Sequence, residues 1–338
     1  MKLGLTINRF ATEKVDYTTT HLALAATNAG HEVWYIEVDA LVLREDDKVY
    51  AHARSVGDER HRSTRRYMER LRGPHALQQE ICVSELDVLF LRHDPAEDAV
   101  ARPWARTAGI DFGRLARRDG VLVVNDPDGL ALGLNKLYME YFPPEVRPRT
   151  LVTRDKSEIK DFISAQGGYA VLKPLVGSGG HNVFLVRPHD TPNINQMIEA
   201  IASEGFVIAQ EFLPQAFHGD TRLFLLDGEP FQYHGKYCAI HRMRRTGDAD
   251  IRSNITAGAV AHRATVTPEM LHLAELCKPR LQQDGMFLVG LDIVGDKVME
   301  INVQSPGGVH NAERLEQVPF PRLVIEALER KLAAHRGG

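Results

Sequence analysis

The segment from Leu291 to Asn302 constrains the fold and the chemistry of this chain more than any other part of it. Its sequence, LDIVGDKVMEIN, places short apolar-rich runs on both sides of Gly295-Asp296. Such runs are typical of β-strands, and a Gly-Asp pair between them is typical of a turn. The segment therefore predicts a β-hairpin.

The register of this hairpin decides which side chains share a face. A two-residue turn would pair Leu291 with Glu300 and scatter polar residues over both faces. An odd loop that pairs Val294 with Val298 instead places Asp292 opposite Glu300 and gathers the apolar residues on the other face. Because a slip of one residue inverts every side chain, the apolar pattern favours the odd register.

The polar face of the predicted hairpin carries oxygen ligands. Alternation along a strand puts Glu300 and Asn302 on one face, and the favoured register adds Asp292. Carboxylates, together with the phosphates of a substrate, are the usual ligands of Mg²⁺. The three residues therefore predict a magnesium site, and the alternative is a surface hairpin with solvated charges.

Composition and charge exclude several classes of protein. The chain has 338 residues and a net charge of −4, so it lacks a global basic field for nucleic acid or anionic lipid. Its cysteines are widely spaced and form no CxxC pair, which argues against a disulfide framework and fits a reducing cytoplasm; they are Cys82, Cys238 and Cys277. No signal-peptide pattern opens the chain, and no apolar run approaches the roughly 20 residues needed to span a bilayer. We expect a cytoplasmic protein without nucleic-acid or membrane partners.

The first part of the chain alternates predicted strands and helices, which is typical of a parallel sheet flanked by helices. The predicted strands are Lys2–Ile7, Glu32–Glu37, Leu86–Leu91 and Val121–Asn125, and the predicted helices include Thr18–Ala29 and Phe112–Arg118. The Arg- and His-rich stretch 54–72 is predicted to be an exposed helix or loop. A solvated charged face is favoured there over a nucleic-acid patch.

Asn125-Asp126-Pro127 marks a break in the pattern, since proline and the residue before it disfavour helix. A short helix over 129–141 and a unit with strands at 169–173, 183–186 and 206–210 follow. The last unit contains the hairpin and ends in a helix over 321–334. We predict domains at 1–124, 125–209 and 210–338.

A glycine-rich loop, Gly177-Ser178-Gly179-Gly180, follows a strand that ends near Lys173. Glycines let backbone N–H groups approach a polyphosphate and form an anion-binding concavity. The loop has neither the P-loop ending nor the Rossmann spacing, so a hairpin loop that covers phosphates fits better. A buried Lys173 would need an anion, which strengthens this interpretation over a simple chain reversal.

Three further segments allow two interpretations each. Lys136 is either a surface lysine or a phosphate ligand, and Gln210–Pro214 is either a domain linker or a hinge beside an adenine. Arg222, on an alternating strand, is either paired structurally or reaches a phosphate. The basic segment 241–254 favours a loop that folds over an anionic substrate, and an RNA-binding role is the alternative.

In this order along the chain, these motifs resemble the ATP-grasp enzymes, and nearly the whole chain resembles bacterial glutathione synthetase. The likeness includes DVLFLRHDP at 87–95, PRTLVTR at 148–154 and VGLDIVGD at 289–296. It implies an α/β ATP-grasp fold preceded by a Rossmann-like, pre-ATP-grasp domain with a parallel sheet. It also implies an ATP-dependent carboxylate–amine ligase acting on small molecules.

The resemblance implies a role for each motif. ATP would be bound by Lys136, Lys173, Gly177, Ser178, Gly179, Gly180, Gln210, Glu211, Phe212 and Leu213. Two Mg²⁺ ions, or Mn²⁺ in their place, would be bound by Asp292, Glu300 and Asn302. Arg222 and Arg252 would face the transferred phosphoryl group, with the other arginines of the basic segment, Arg242, Arg244 and Arg245, mostly solvated. The joined molecules would contact Arg92, Arg252, Ser253, Asn254, Ser305, Gly307 and Gly308.

Departures from the family concern the joined molecules. The glycine loop begins with Val176-Gly177 where the family tends to have Asp-Gly, and the turn after Asn302 reads VQSPGG rather than ending in Ser-Pro-Thr-Cys. The basic segment looks like that of ligases that add glutamate to ribosomal-protein tails. The leading hypothesis is a homo-oligomeric ligase that joins γ-glutamylcysteine to glycine. The alternatives are a sister ligase with another pair of substrates and a catalytically silent ATP-binding protein.

Overall fold

The computed structural model describes residues 1–99, 101–177, 181–243 and 259–337. The strands of this part of the chain are β1 (Lys2–Ile7), β2 (Glu32–Leu43), β3 (Val49–Ser55), β4 (Leu77–Cys82), β5 (Val88–Leu91), β6 (Leu122–Val124), β7 (Thr150–Thr153), β8 (Ala170–Pro174), β9 (Phe184–Val186), β10 (Val207–Glu211), β11 (Asp220–Leu226), β12 (Glu229–Pro230), β13 (Gln232–Tyr233), β14 (Lys236–Tyr237), β15 (Ala239–Met243), β16 (Val260–Arg263), β17 (Leu288–Val294) and β18 (Lys297–Asn302).

The α-helices are α1 (Thr18–Asn28), α2 (Thr64–Arg72), α3 (Ala105–Arg118), α4 (Pro127–Leu132), α5 (Lys156–Ala165), α6 (Ile194–Ala202), α7 (Pro268–Gln283), α8 (Val309–Glu316) and α9 (Phe320–Gly337). Short 3₁₀ helices occur at Val83–Glu85, Lys136–Tyr141, Pro144–Val146, Pro188–Asn193 and Pro214–His218. None of the described helices combines the length and the apolar character that a membrane span requires.

The first sheet has the strand order β4-β3-β2-β1-β5-β6. Strand β1 is parallel to β2 and β5, and β5 is parallel to β6, as the alternating pattern predicts. Two strands outside the predicted set, β3 and β4, extend this sheet at one edge with antiparallel pairing. Helix α2 lies in the basic stretch 54–72 and buries Tyr67, Met68 and Leu71, so only its outer face is solvated.

The second sheet is antiparallel, with the order β7-β10-β8-β9. Helices α5 and α6 cover it with a separate apolar core that includes Ile159, Ile163, Ile198 and Ile201. Strand β10 runs through Glu211 and so passes the boundary predicted at residue 209. The division into domains at 124 and 209 stays a prediction.

The third sheet is antiparallel and has the path β16-β15-β11-β17-β18. Its hydrophobic core is continuous with that of the first sheet, since Phe224 and Phe287 belong to the same buried cluster as Leu5 and Phe90. Asn125 joins the two sheets through four hydrogen bonds. Its side chain donates to the carbonyls of Leu288 and Val303 and accepts from the backbone N–H groups of Phe287 and Leu288.

The hairpin β17–β18 has the predicted pairing of Asp292 with Glu300 but reaches it by another route. Val294 pairs with Lys297 around a two-residue turn, so the predicted odd loop that pairs Val294 with Val298 is wrong. A register shift between Asp292 and Ile293 restores the polar pairing. The tight turn forms because Gly295 adopts a φ of 58°, which suits the first central position of a two-residue hairpin loop.

Candidate active site

An open cleft lies where the second and third sheets meet the loop after β5. Both faces of the cleft contribute apolar and charged side chains. The side chains and loops that line it include Asp94, Arg106, Lys136, Thr150, Lys173, Gly177, Gln210, Glu300, Asn302, Gln304 and Ser305. The cleft therefore brings together residues from all three sequence units.

Lys173, near the end of β8, lies in the cleft without a carboxylate bonded to it among the described residues. Its Nζ donates instead to the neutral Oε1 of Gln210 at 2.9 Å, and Gln210 donates to Thr150 Oγ1 at 3.1 Å. Burial lowers the pKa of Lys173 to about 8, although Glu300 acts in the opposite direction. A lysine with this surrounding is poised to accept an anionic ligand.

Lys136, at the start of a 3₁₀ helix, is fixed against the beginning of the glycine loop. Its Nζ donates to the carbonyl of Gly177 at 2.6 Å, and its backbone N–H donates to the carbonyl of Leu175 at 3.0 Å. Burial lowers the pKa of Lys136, while Glu300 and Asp94 raise it. The carboxylate of Glu300 thus acts on both lysines and raises the pKa of each.

Asp292 is the centre of a buried charge network. The guanidinium of Arg222 donates to both of its carboxylate oxygens, each at 2.7 Å, and Arg242 reaches its Oδ2, also at 2.7 Å. Arg242 in turn donates to both oxygens of Asp220, at 2.6 and 2.7 Å. Burial alone would raise the pKa of Asp292, but Arg222 and Arg242 hold that pKa at about 2.

The expectation that Arg242 is mostly solvated is wrong. Only 4% of Arg242 is exposed, because it lies on β15 opposite Asp220 rather than in a loop. Burial would lower its pKa, and Asp292 and Asp220 together raise it. Of the two interpretations of Arg222, a structural ion pair is the one observed, because its guanidinium donates to both carboxylate oxygens of Asp292.

The three predicted metal ligands do not have equivalent surroundings. Glu300 and Asn302 line the cleft, whereas Asp292 is buried behind them and accepts from Asn302 Nδ2 at 3.1 Å. The side chain of Glu300 has neither a hydrogen bond nor an ion pair to another described residue. No group of three or more His, Cys, Asp or Glu residues in the described ranges is placed to hold a metal ion. The donor set therefore consists of two carboxylates and one amide, which suits a hard cation that also takes phosphate oxygens.

Arg92 contacts the turn that follows Asn302. It is buried, and it donates to Thr19 Oγ1 at 3.3 Å and to the carbonyl of Pro306 at 3.2 Å. Its Nη1 is buried and has no hydrogen-bond partner among the described residues. Burial lowers the pKa of Arg92 to about 10, so the guanidinium stays charged at neutral pH.

The turn Ser305–Gly308 connects this arginine with the charge network. Arg222 Nη1 donates to the carbonyl of Gly307 at 3.2 Å, and Thr18 Oγ1 accepts from the N–H of Gly308 at 3.0 Å. Gly308 adopts a φ of 107°, and a Cβ there would approach Ile240 Cδ1 to 2.8 Å. A glycine is therefore required at the point where the turn lies between the first and third sheets.

Among the predicted adenine residues, Gln210 lines the cleft and the next three do not. Glu211 forms an ion pair with Arg149, whose nitrogens donate to both of its carboxylate oxygens. Phe212 stacks on Tyr169, with ring centroids 6.1 Å apart, and Leu213 precedes a 3₁₀ helix. The predicted contact of residues 211–213 with ATP therefore stays a prediction.

Several predicted residues lie outside the described residues, namely Ser178, Gly179, Gly180, Arg244, Arg245, Arg252, Ser253 and Asn254. Conversely, sequence reasoning assigned no role to Asp94, Arg106 or Gln304, which line the cleft. Asp94 belongs to a segment that carries the family resemblance, so a signal for it existed. Arg106 belongs to a helix without any motif.

The fold is shared with solved ATP-grasp structures. D-cycloserine synthetase DcsG matches with a TM-score of 0.67 and 14% identity, covering 98% of this chain and 100% of that one. The ATP-grasp ligase PsnB complexed with its minimal precursor matches with a TM-score of 0.62 and 16% identity over 99% of both chains. These likenesses show that the chain has the ATP-grasp fold.

The sequence comparisons identify the family. A model of the N-terminal domain of prokaryotic glutathione synthetase matches residues 1–131, and a model of its ATP-grasp domain matches residues 135–317. The glutathione synthetase of Vibrio cholerae is 32% identical over 339 residues, covering 99% of both chains. That of Yersinia pestis is 32% identical over 343 residues, covering 98% of both. The chain belongs to the prokaryotic glutathione synthetase family and is an ATP-dependent ligase that forms C–N bonds.

Proposed function

We propose that this protein joins γ-glutamylcysteine to glycine and converts ATP to ADP and phosphate. The observation that carries the proposal is the similarity to curated glutathione synthetases over 98–99% of both chains. The cleft supports it, since it holds two lysines and a carboxylate that has no partner among the described residues. A catalytically silent ATP-binding protein would not need this combination.

In the proposed reaction, a carboxylate oxygen of γ-glutamylcysteine attacks the γ-phosphorus of ATP, and ADP leaves. The amine of glycine then attacks the acyl carbon, a proton leaves the nitrogen, and phosphate departs with one oxygen of the original carboxylate. Such a transfer needs positioning and neutralisation of charge rather than a protein nucleophile. Lys136 and Lys173 would hold the phosphates, and Arg92 would bind the substrate from the first sheet.

Glu300, Asn302 and Asp292 would hold Mg²⁺. The bound ion would neutralise phosphate charge and orient the terminal phosphoryl group. Because Arg222 already donates to both oxygens of Asp292, the ion and this arginine would share one carboxylate. We expect two Mg²⁺ ions, which Mn²⁺ can replace. We also expect Arg252 to act at the transferred phosphoryl group, with the protein as a cytoplasmic homodimer or homotetramer.

A sister ligase with another pair of substrates is the second candidate. The turn sequence VQSPGG and the basic segment 241–254 favour it, since both depart from the family pattern near the substrates. In both candidates the nucleotide chemistry is the same.

Product analysis separates the two candidates. The purified protein is incubated with ATP, Mg²⁺, γ-glutamylcysteine and glycine, and glutathione and ADP are measured by mass spectrometry. We expect equal amounts of the two products, and we expect the Lys173→Ala variant to form neither. A panel of other acceptors and amines is run in parallel. A higher kcat/KM for another pair would contradict the glutathione assignment and support the sister ligase.

A further inference from the structure

Arg106 lies in the first turn of α3 and differs from the other arginines of that helix. Arg114 and Arg117 pair with aspartates at 126 and 128, and Arg118 pairs with Asp119. Arg106 has neither an ion pair nor a side-chain hydrogen bond to another described residue, and its Nε is buried without a partner. Its charge therefore has no structural use in the described part of the chain.

The surroundings of Arg106 point to a ligand. The side chain lines the same cleft as Lys136, Lys173 and Glu300. A buried N–H group that has no acceptor has lost its hydrogen bonds to water, and this loss destabilises the protein. An acceptor on a ligand would restore the hydrogen bond. Helix α3 packs against the first sheet, so Arg106 reaches the cleft from a different sheet than Lys173, which lies on β8 of the second sheet.

A second polar atom without a partner among the described residues lies in the same cleft. Gln304 donates through Nε2 to the carbonyl of Leu130 at 2.8 Å, which fixes the orientation of its amide. Its Oε1 is buried and has no partner among the described residues. Within the described part of the chain, the cleft thus contains a donor on Arg106 that has no acceptor and an acceptor on Gln304 that has no donor. This combination suits a polar ligand rather than apolar packing.

We propose that Arg106 binds an oxyanion group of one of the reactants, either a phosphate of the nucleotide or a carboxylate of a joined molecule. The inference rests on the proposed function. A guanidinium has a planar fork that matches both groups and can bind each of them through two parallel hydrogen bonds. Arg106 would thus be a binding residue that adds to Lys136, Lys173 and Arg92.

The test compares Arg106→Gln and Arg106→Lys with Arg114→Gln, a matched control with the same charge change on the same helix. Binding of Mg²⁺-ADP is measured by calorimetry, and KM is measured for ATP and for each joined molecule. We expect the affinity for one reactant to fall about tenfold or more in Arg106→Gln, with partial recovery in Arg106→Lys. The unfolding midpoint of each variant is measured to verify that the fold is intact.

The reactant that responds identifies the oxyanion. Weaker binding of both ADP and ATP assigns Arg106 to the nucleotide phosphates that the two share. A raised KM for ATP with unchanged ADP binding assigns it to the terminal phosphate. A raised KM for one joined molecule alone assigns it to that carboxylate. If every constant of both Arg106 variants stays within about twofold of the wild-type value, the proposal is wrong.

The outcome is independent of the glutathione assignment. A wild-type protein that forms no glutathione would contradict the proposed function, whereas the Arg106 comparison relates each variant to the wild-type protein. If no glutathione forms, the Arg106 comparison uses ADP binding together with the acceptor and amine of the panel that support phosphate release. Failure of the proposed function and failure of the Arg106 proposal therefore give different results.

Discussion

Arg222 and Asp292 face each other across adjacent antiparallel strands, and the guanidinium donates to both carboxylate oxygens at 2.7 Å. On the other side of Asp292, the register places Glu300 directly opposite. One row across three strands thus runs from the paired carboxylate of Asp292 to that of Glu300, which lines the cleft and has no partner among the described residues. Asp292 has a structural role in addition to its proposed metal role, whereas Glu300 has the second role alone.

This difference predicts how two matched variants behave. Asp292→Asn and Glu300→Gln should both abolish Mg²⁺-dependent turnover. Asp292→Asn should also lower the free energy of unfolding by about 3 kcal/mol or more, because it leaves Arg222 and Arg242 buried beside a neutral amide. Glu300→Gln should lower it by less, because the side chain of Glu300 has no hydrogen bond or ion pair to another described residue. Urea unfolding without nucleotide measures both values, and equal losses of stability would contradict the separation of roles.

The lowered pKa of Lys173 predicts a pH dependence of ATP binding. The protonated lysine binds phosphate, and burial has lowered its pKa from 10.5 to about 8 in the free protein. The dissociation constant of ATP should therefore be flat below about pH 8 and rise up to about tenfold per pH unit above it. Calorimetry at several pH values between about 7 and 10 measures this slope.

Two methionine variants serve as controls for this slope. Lys173→Met should bind ATP more weakly and lose the rise above about pH 8. Lys160→Met, on the exposed face of α5, should keep the wild-type profile. A Lys173→Met variant that retains the rise would show that another group titrates.

The raised pKa of Glu13 predicts that the free energy of unfolding falls as the pH rises. It is 6% exposed and accepts from Thr20 Oγ1 at 3.0 Å, and burial raises its pKa from 4.5 to about 7. Between these two values the folded state binds more protons than the unfolded state, so the stability present at acidic pH is lost as the pH rises.

Glu13→Gln should remove this loss. Because Gln keeps the acceptor for Thr20, the variant should be more stable than the wild type at about pH 8, by at most about 3 kcal/mol, and equal to it near about pH 4. Denaturant unfolding at both pH values makes the comparison, with the exposed Glu69→Gln as control. A variant that is less stable at about pH 8 would mean that attraction between Glu13 and Arg92 outweighs burial.

Asn125 predicts a large loss of stability when its side chain is removed. Its four hydrogen bonds are buried and join the end of β6 to the start of β17 and to Val303, which follows β18. Asn125→Ala leaves two carbonyls and two N–H groups without partners, so the free energy of unfolding should fall by about 3 kcal/mol or more. Asn195→Ala, at an exposed position of α6, should change it little. A loss below about 1 kcal/mol for Asn125→Ala would show that water replaces the amide.

Local pattern was sufficient for much of the fold. The bounds of β1 agree with the prediction, and those of α1 differ from it by one residue at the C-terminus. The pairing of Asp292 with Glu300 was predictable because apolar residues had to share a face. The route to it was not predictable, since a tight turn with a register shift gives the same pairing as a longer loop.

Contacts between distant segments could not be read from the sequence. Arg242 looked like part of a solvated basic run, and its burial depends on Asp220 and Asp292, which lie 22 and 50 residues away in the numbering. The position of Arg106 in the cleft depends on how α3 packs against the rest of the protein, which periodicity does not encode. Strands β3 and β4 pair antiparallel although α2 lies between them, so the alternation of strand and helix does not by itself give the direction of a strand.

The transfer of oxygen from the acceptor to phosphate tests the central claim most directly. γ-Glutamylcysteine labelled with ¹⁸O in its reacting carboxylate is incubated with ATP, glycine and the protein, and the phosphate released is analysed by mass spectrometry. An acyl-phosphate ligase must move one carboxylate oxygen to phosphate for each amide bond formed, so we predict one ¹⁸O in the phosphate for each glutathione. Glutathione formed with unlabelled phosphate, or phosphate released without glutathione, would contradict the account.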